Sequence, residues 1–384
     1  MSRRLLRLCA LALPAAMACS GVLAQDNSEA DEIPPPLPLD DLTVRTIDFE
    51  GPRVYVQNNP GVQVYASDTL AFLGTLGAGR NIKMLPPVVD GGPVYVATSY
   101  FSRHTRGDRT DVLEYFDPDT LVLMGEIELP PRITVAQSQR PLFRASYDGR
   151  FAFLQNATPG TSVTVIDLEA KEVTLEIDTP GCWGIYPALT SVAFSTICSD
   201  GSFATYAFNA DGTETVRTAG DEVFDVDEDA LFIHGELVDG LYVFPSFTGN
   251  LYMMDLDGEM PELVGMFSVV EGIEGDWRPG GGQLTAYVPA YGVFYLLMHS
   301  DAREGSHKSR SEEIWAIDIE AQEVLSRTEI SGLLTITGME DSLFANNGET
   351  RELIRYVLDT RNGFAPVQAA VREAGISRQQ LEVR

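Results

Sequence analysis

One pattern recurs seven times in this chain of 384 residues: a short apolar strand, an acidic or amide residue at its end, a turn, and a second strand. It appears as Val62-Gln63-Val64-Tyr65-Ala66 before Asp68, and as Val112-Leu113-Glu114-Tyr115-Phe116 before Asp117. It returns as Val163-Thr164-Val165-Ile166 before Asp167 and Thr205-Tyr206-Ala207-Phe208 before Asn209. Leu251-Tyr252-Met253-Met254 before Asp255, Ile314-Trp315-Ala316-Ile317 before Asp318 and Ile354-Arg355-Tyr356-Val357-Leu358 before Asp359 complete the set. The anchors are 41 to 63 residues apart. A period of about 40–50 residues containing several short strands is the mark of a propeller blade. Period-2 alternation gives each blade two apolar faces that it cannot bury alone, so the blades must stack and the ring must close. The expectation is an all-β chain: a seven-bladed β-propeller with four-stranded antiparallel blades over residues 46–384. Each anchor carboxylate should close its turn by accepting backbone N–H bonds.

Upstream apolar runs supply the preceding strands: Pro93 to Ala97, Phe151 to Leu154, Leu241 to Phe244 and Val293 to Leu297. Turn signals bracket them, as at Asp148-Gly149 and Asp239-Gly240. Helical periodicity is scarce, and residues 372–380 are the best and a short example. Residues 376–383 are expected to form a strand that closes the ring on the first blade, because an open ring leaves sheet edges unpaired. The longest step, 63 residues, carries a charged insertion over residues 300–312 that holds His307. Long loops on such scaffolds are where function concentrates.

Residues 1–24 read as a signal peptide. Arg3, Arg4 and Arg7 precede an uncharged apolar run over 8–18, and Val22-Leu23-Ala24 suits cleavage before Gln25. The run is too short to span a membrane. Cys19 follows a poor lipobox, with Ala16 where leucine is usual. These features place the chain in the periplasm. Residues 25–45, acidic and containing Pro34-Pro35-Pro36, read as an extended arm. The net charge is −29 and becomes more negative once the signal peptide is removed. Such a chain repels nucleic acid and anionic membranes and attracts cations, amines included. Of four cysteines, Cys9 and Cys19 lie in the signal peptide. Cys182 and Cys198 remain, an even pair that reads as one disulfide in an oxidising compartment. A redox pair or metal ligation are the alternatives; the spacing is not C-x-x-C, and no histidine sits between.

Catalytic motifs are absent. His104, His234, His299 and His307 have no histidine or cysteine at i+3 or i+4, and read as loop or surface residues. Asp225 to Asp229 with Glu236 resembles a calcium loop, but Ala230 stands where glycine is needed and Leu231-Phe232-Ile233 reads as strand, so a solvated acidic turn is the better reading. Gly74, Gly77 and Gly79 read as turn glycines, since no helix follows. No nucleophile elbow or phosphate loop is present. Three unusual strings remain: the basic cluster Ser102 to Asp111, the Trp277-Arg278-Pro279 loop, and the insertion around His307-Lys308. They read as inter-blade turns or as a docking rim, where Arg and Trp are favoured.

These strings resemble the heavy subunit of methylamine and aromatic amine dehydrogenases. The similar stretches are Tyr100-Phe101-Ser102-Arg103 with Arg106-Gly107-Asp108-Arg109-Thr110-Asp111, then Glu114 to Leu121, Gly125 to Pro130, Asp276 to Gly281, and the His307-Lys308 loop. Cys182 and Cys198 fall where the family places its heavy-chain disulfide. The resemblance implies a heterotetramer in which this chain is a non-catalytic scaffold that shapes a substrate channel. It implies a light chain carrying tryptophan tryptophylquinone, which oxidises a primary amine to aldehyde and ammonia. It also implies a blue-copper acceptor of the amicyanin or azurin type. No cofactor is expected on this chain. Lys83, Met84, Phe101, Arg103, Arg106, Arg109, Trp277, Arg278, His307 and Lys308 become candidates for light-chain or channel contact. The family places an aromatic beside the channel in the loop matching residues 81–87, and this chain has none there. Residues 258–272 and 369–384 also depart from the family. The competing readings are an exported propeller binding module without a catalytic light chain, and a propeller lactonase with an axial metal.

Overall fold

A computed structural model describes residues 44–58, 61–135, 138–209, 211, 215–374 and 380–384. The expected signal peptide, most of the expected arm and residues 375–379 lie outside the described residues. Seven antiparallel sheets follow one another along the chain, and all but the first hold their strands in sequence order. Blade 1 holds Arg53–Gln57, Val62–Ala66 and Phe72–Leu76. Blade 2 holds Arg80–Leu85, Val94–Arg103, Arg106–Phe116 and Leu123–Leu129. Blade 3 runs Phe143–Ala145, Phe151–Asn156, Ser162–Asp167, Glu172–Asp178. Blade 4 runs Cys182–Pro187, Ala193–Cys198, Ser202–Phe208, Thr215–Glu222. Blade 5 has Glu236–Val238, Leu241–Pro245, Asn250–Asp255 and Glu262–Ser268. Blade 6 has Val293–His299, Glu313–Asp318 and Glu323–Glu329, and blade 7 has Leu333–Met339, Ser342–Asn347, Glu352–Asp359 and Ala365–Glu373. In blade 6 the innermost place is shared by Arg278–Pro279 and Thr285–Val288, both paired with Val293–His299.

The fourth strand of blade 1 comes from the other end of the chain. Leu381–Val383 pairs antiparallel with Arg53–Gln57, placing Val54 opposite Val383 and Val56 opposite Leu381. Ring closure is therefore as expected, but this strand is three residues long. The helical expectation for 372–380 fails at its start: Arg372 and Glu373 end the strand Ala365–Glu373, opposite Leu353 and Glu352. Alternation along an edge strand outweighs a short run of helix formers.

Apolar clusters sit between neighbouring blades. Tyr55 meets Val94 and Val96 between blades 1 and 2. Phe153 meets Phe194 and Phe208 at ring separations of 5.2 and 5.9 Å between blades 3 and 4. Tyr186 meets Phe244 at 4.8 Å between blades 4 and 5. Phe344 and Leu353 meet Val54 and Leu381 between blades 7 and 1. Each fully buried large side chain contributes about 1.5–3 kcal/mol, so the closing seam is as apolar as the others.

The anchor turns form as expected at Asp117, Asp167, Asp255, Asp318 and Asp359, whereas Asp68 accepts the Thr69 hydroxyl. Asp117 Oδ1 accepts the N–H groups of Asp119 and Thr120 at 3.0 and 2.8 Å. Asp167 does the same for Glu169 and Ala170, and Asp318 for Ala321. Five of these turns end on a non-glycine residue with φ between 56° and 59°: Leu70, Leu121, Lys171, Gln322 and Phe364. Antiparallel order then sorts the connections. These turns, and those joining first to second strands, share a lower face. The hairpins joining second to third strands share an upper face with the segments that pass from blade to blade.

Candidate functional site

Most sequence candidates come to the upper face. The hairpin of blade 2 has strands of 10 and 11 residues, against six and six in blade 3, so it projects beyond its neighbours. Arg103 and Arg106 are exposed near its tip beside His104, and Phe101 is half-buried below them. Tyr100 Oη donates to Glu114 at 2.6 Å, bracing the arm from within. A groove of about 520 Å3 separates the hairpin from Ala78, Gly79 and Arg80.

Arg109 does not belong to this exposed set. Its guanidinium grips Asp111 with two bonds of 2.6 Å and donates a third to Ile133 O, while Asp111 accepts the Ile133 N–H. The pair clamps the segment that crosses from blade 2 to blade 3. Trp277 is likewise internal. It packs 5.6 Å from Trp315, and Arg327 lies 4.6 and 4.7 Å over the two rings. Arg278 pairs with His299 in the sheet and donates to Trp277 O. His307 and Lys308 are exposed on a short 3-10 turn, Ser306–Lys308, within the insertion. They overhang the upper mouth of the ring axis, a cavity of about 570 Å3 shared with Gln139, Trp183, Phe232 and His234. A groove of about 450 Å3 continues from it past Phe232, Phe247 and His307.

Sequence reasoning missed what closes the axis. Arg140, in the turn Arg140–Leu142 that enters blade 3, donates to Glu236 of blade 5 at 2.6 Å and to Glu382 of blade 1 at 3.0 Å. It also donates to Thr337 of blade 7 and to Leu381 O. Gln283 joins Ile336 O to Leu381 O at 2.8 and 2.7 Å. Gln380 ties the same closing strand to Met84 O of blade 2. Burial pushes the Glu236 carboxyl up, and Arg140 opposes that rise. Above this layer His234 is held down to about 3 by burial and by Arg140, so it is a neutral imidazole at pH 7. The contributors come from six blades, so no local motif could announce the cluster.

A family model described as the methylamine dehydrogenase heavy chain matches residues 52–368. The chain belongs to this family. The methylamine dehydrogenase heavy chain of Paracoccus versutus is 32% identical over 330 residues, 81% of this chain and 75% of that protein. That of Methylorubrum extorquens is 30% identical over 311 residues, 77% and 73% of the two chains. Among solved structures, dihydro-heme d1 dehydrogenase NirN is similar with a TM-score of 0.53 at 15% identity, covering 87% of this chain and 68% of that one. This last likeness concerns the fold alone.

Within this methylamine dehydrogenase heavy chain family member, residues 81–87 are not a loop: Arg80–Leu85 is the innermost strand of blade 2. Lys83 and Met84 are 0% and 1% exposed, so neither lines an open channel. Lys83 Nζ donates to Asn81 O and Thr134 O at 3.0 and 2.6 Å. Burial lowers it to about 7 against the pull of Asp111. Met84 joins the apolar seam between blades 1 and 2. The histidine expectation holds for His104 and His307, which are exposed, and for His234, which sits in a loop although it is 5% exposed; it fails for His299, 1% exposed at the end of the strand Val293–His299. Cys182 and Cys198 form a disulfide between directly opposed residues of blade 4. The acidic turn at 225–229 holds no group of metal-ligating residues. Asp225 caps Asp227 and Glu228, and Asp229 takes bonds from Thr248, Asn250 and Tyr252. Leu231 to Ile233 is not a strand but makes a single bridge, Leu231 to Ser246. Gly74 sits inside the strand Phe72–Leu76, at a bulge. No helix among the described residues is long and apolar enough to cross a membrane.

Proposed function

We propose that this chain is the heavy subunit of a periplasmic amine dehydrogenase whose light chain docks on the upper face. The family match over residues 52–368 carries this reading. The upper face supports it: the projecting hairpin with Arg103 and Arg106, and the insertion with His307 and Lys308, rise around a half-open axial mouth. When bound on the light chain, tryptophan tryptophylquinone would take two electrons from a primary amine, yielding aldehyde and ammonia, and a blue-copper protein would receive them. The residues of this chain bind and shape. The exposed arginines steer a partner of opposite charge. Trp183, Phe232 and the neutral His234 wall the mouth with uncharged groups, and Lys308 at its edge carries the charge there. The chain's net charge of −29 draws ammonium substrates toward the assembly.

Purification from the native source tests this. A small cysteine-rich chain should accompany this one, with quinone absorbance and amine-dependent dye reduction. Recovery of this chain alone, with neither signal, sinks the proposal.

A further inference from the structure

The lower mouth of the axis is a separate cavity of about 280 Å3, below the layer that Arg140 forms with Glu236 and Glu382. Arg144, on the innermost strand of blade 3, lines it half-buried. Among the described residues no acceptor lies within hydrogen-bond or ion-pair reach of its guanidinium. That charge is nevertheless close enough to act on Tyr186, Tyr242 and Glu236. Three tyrosines wall the cavity, and their hydroxyls are committed elsewhere. Tyr186 donates to Ile233 O at 2.8 Å, Tyr242 to Pro187 O at 2.8 Å, and Tyr287 to Asp239 at 3.2 Å. The rings therefore offer apolar and edge contact. Arg140 on the floor already gives four bonds to its own partners, two of them to the carboxylates Glu236 and Glu382. Glu340 and Arg384 also line the cavity, and both are exposed.

A guanidinium is a planar fork that matches a carboxylate, and a half-buried one without an acceptor is an unfilled half of such a pair. The volume sits at the lower end of the range for small-molecule sites, roughly 300 Å3, which suits a single ring or short chain. The chain's overall negative charge would repel anions, so affinity for one must come from this local arrangement. We propose that the lower axial cavity binds a small carboxylate with a planar apolar body, its carboxylate on Arg144 and its body against the tyrosines. The site lies on the face opposite the docking surface and does not rest on the light-chain reading.

Isothermal titration of the purified chain with benzoate, benzylamine and inorganic phosphate tests it. Benzoate should bind in preference to both others. Arg144→Met should weaken benzoate at least roughly tenfold, the loss of a charge-assisted pair, and Arg144→Lys should weaken it less. Should Arg144→Met not fold, the unaltered protein still decides: benzoate should protect Arg144 from phenylglyoxal, read by mass spectrometry of the modified peptides. No benzoate binding at millimolar concentration, benzylamine or phosphate binding as well as benzoate, an unchanged affinity in Arg144→Met, or no protection of Arg144 would each overturn the proposal.

Discussion

The lower face turns the chain from third to fourth strand with the same device in blade after blade. A carboxylate caps one or two N–H groups, and in most blades a left-handed residue follows. The upper face repeats nothing. It lengthens one hairpin to strands of 10 and 11 residues, places a 3-10 turn in the insertion over residues 300–312, and lets connections from three blades lean into the axis. The same repeat thus supports a face specified by local geometry and a face free to diverge. Between them lies the Arg140 layer, which belongs to neither and keeps the two mouths apart.

Breaking that layer should give the largest effect. Arg140→Met leaves Glu236 and Glu382 buried without their cation and frees the three-residue closing strand from its axial tether. The expected loss is about 3–5 kcal/mol in urea unfolding, the usual result of removing one partner from a buried ionic cluster. Adding Glu236→Gln and Glu382→Gln should restore part of it. A loss under about 1 kcal/mol would show that the apolar seam between blades 7 and 1 closes the ring unaided.

Lys83 sharpens the comparison, because it holds the upper-face segment at Thr134 from inside blade 2. The folded chain lets its proton go near pH 7, whereas an unfolded lysine keeps it to about 10.5. Between these values the unfolded state binds more protons, so stability should rise with pH. Above pH 10 the sign reverses, since burial holds Tyr55 and Tyr242 up to about 12 and the unfolded tyrosines ionise first. Lys83→Met should remove the rise, on the order of 4 kcal/mol, and keep the fall. Denaturant midpoints at pH 7, 8.5, 10 and 11 decide it; an equal rise in the variant would assign the slope to other groups.

The contrast between faces also explains what could be read from sequence. Asp117, Asp167 and Asp318 are visible because each acts on N–H groups two or three residues away. Ring closure was legible because seven repeats leave an edge that some strand must cover. The insertion was legible as an excess in spacing, though not the seating of His307 beside Phe232. Arg140, Glu236, Gln283 and Glu382 were invisible, since their bonds cross the axis from sequence separations of 53 to 242 residues. Arg109 and Trp277 were misplaced for a related reason. A cluster of arginines looks like a surface until Asp111 is seen to hold one of them inward, and a Trp-Arg-Pro loop looks like a rim until Trp315 and Arg327 enclose the indole.

Paired substitutions then separate the faces by what they change. Asp117→Ala on the lower face should cost about 1 kcal/mol, the worth of its capping bonds, and leave partner capture unaltered. Arg103→Glu with Arg106→Glu on the upper face should leave stability within about 0.5 kcal/mol, as exposed charges do. The same pair should slow light-chain association at least roughly tenfold at low salt. Surface plasmon resonance with the co-purified light chain reads the second effect and urea unfolding the first. Arginine variants that lose stability but not association would move the docking site off this hairpin.

The smallest effect belongs to the insertion itself. Arg303 and Asp301 form an ion pair at 2.7 Å with both side chains more than 60% exposed. Water and salt screen such a pair, and ordering two long side chains offsets most of its attraction. Arg303→Ala should therefore change stability by no more than about 0.5 kcal/mol. What holds the insertion is backbone: Ser306 N–H donates to Arg303 O, Gly281 N–H to His307 O, and Ser309 N–H to Ser306 O. Arg303→Ala keeps all three bonds. A loss above about 1 kcal/mol would mean that the ion pair, and not the backbone, sets the His307-Lys308 turn over the axial mouth.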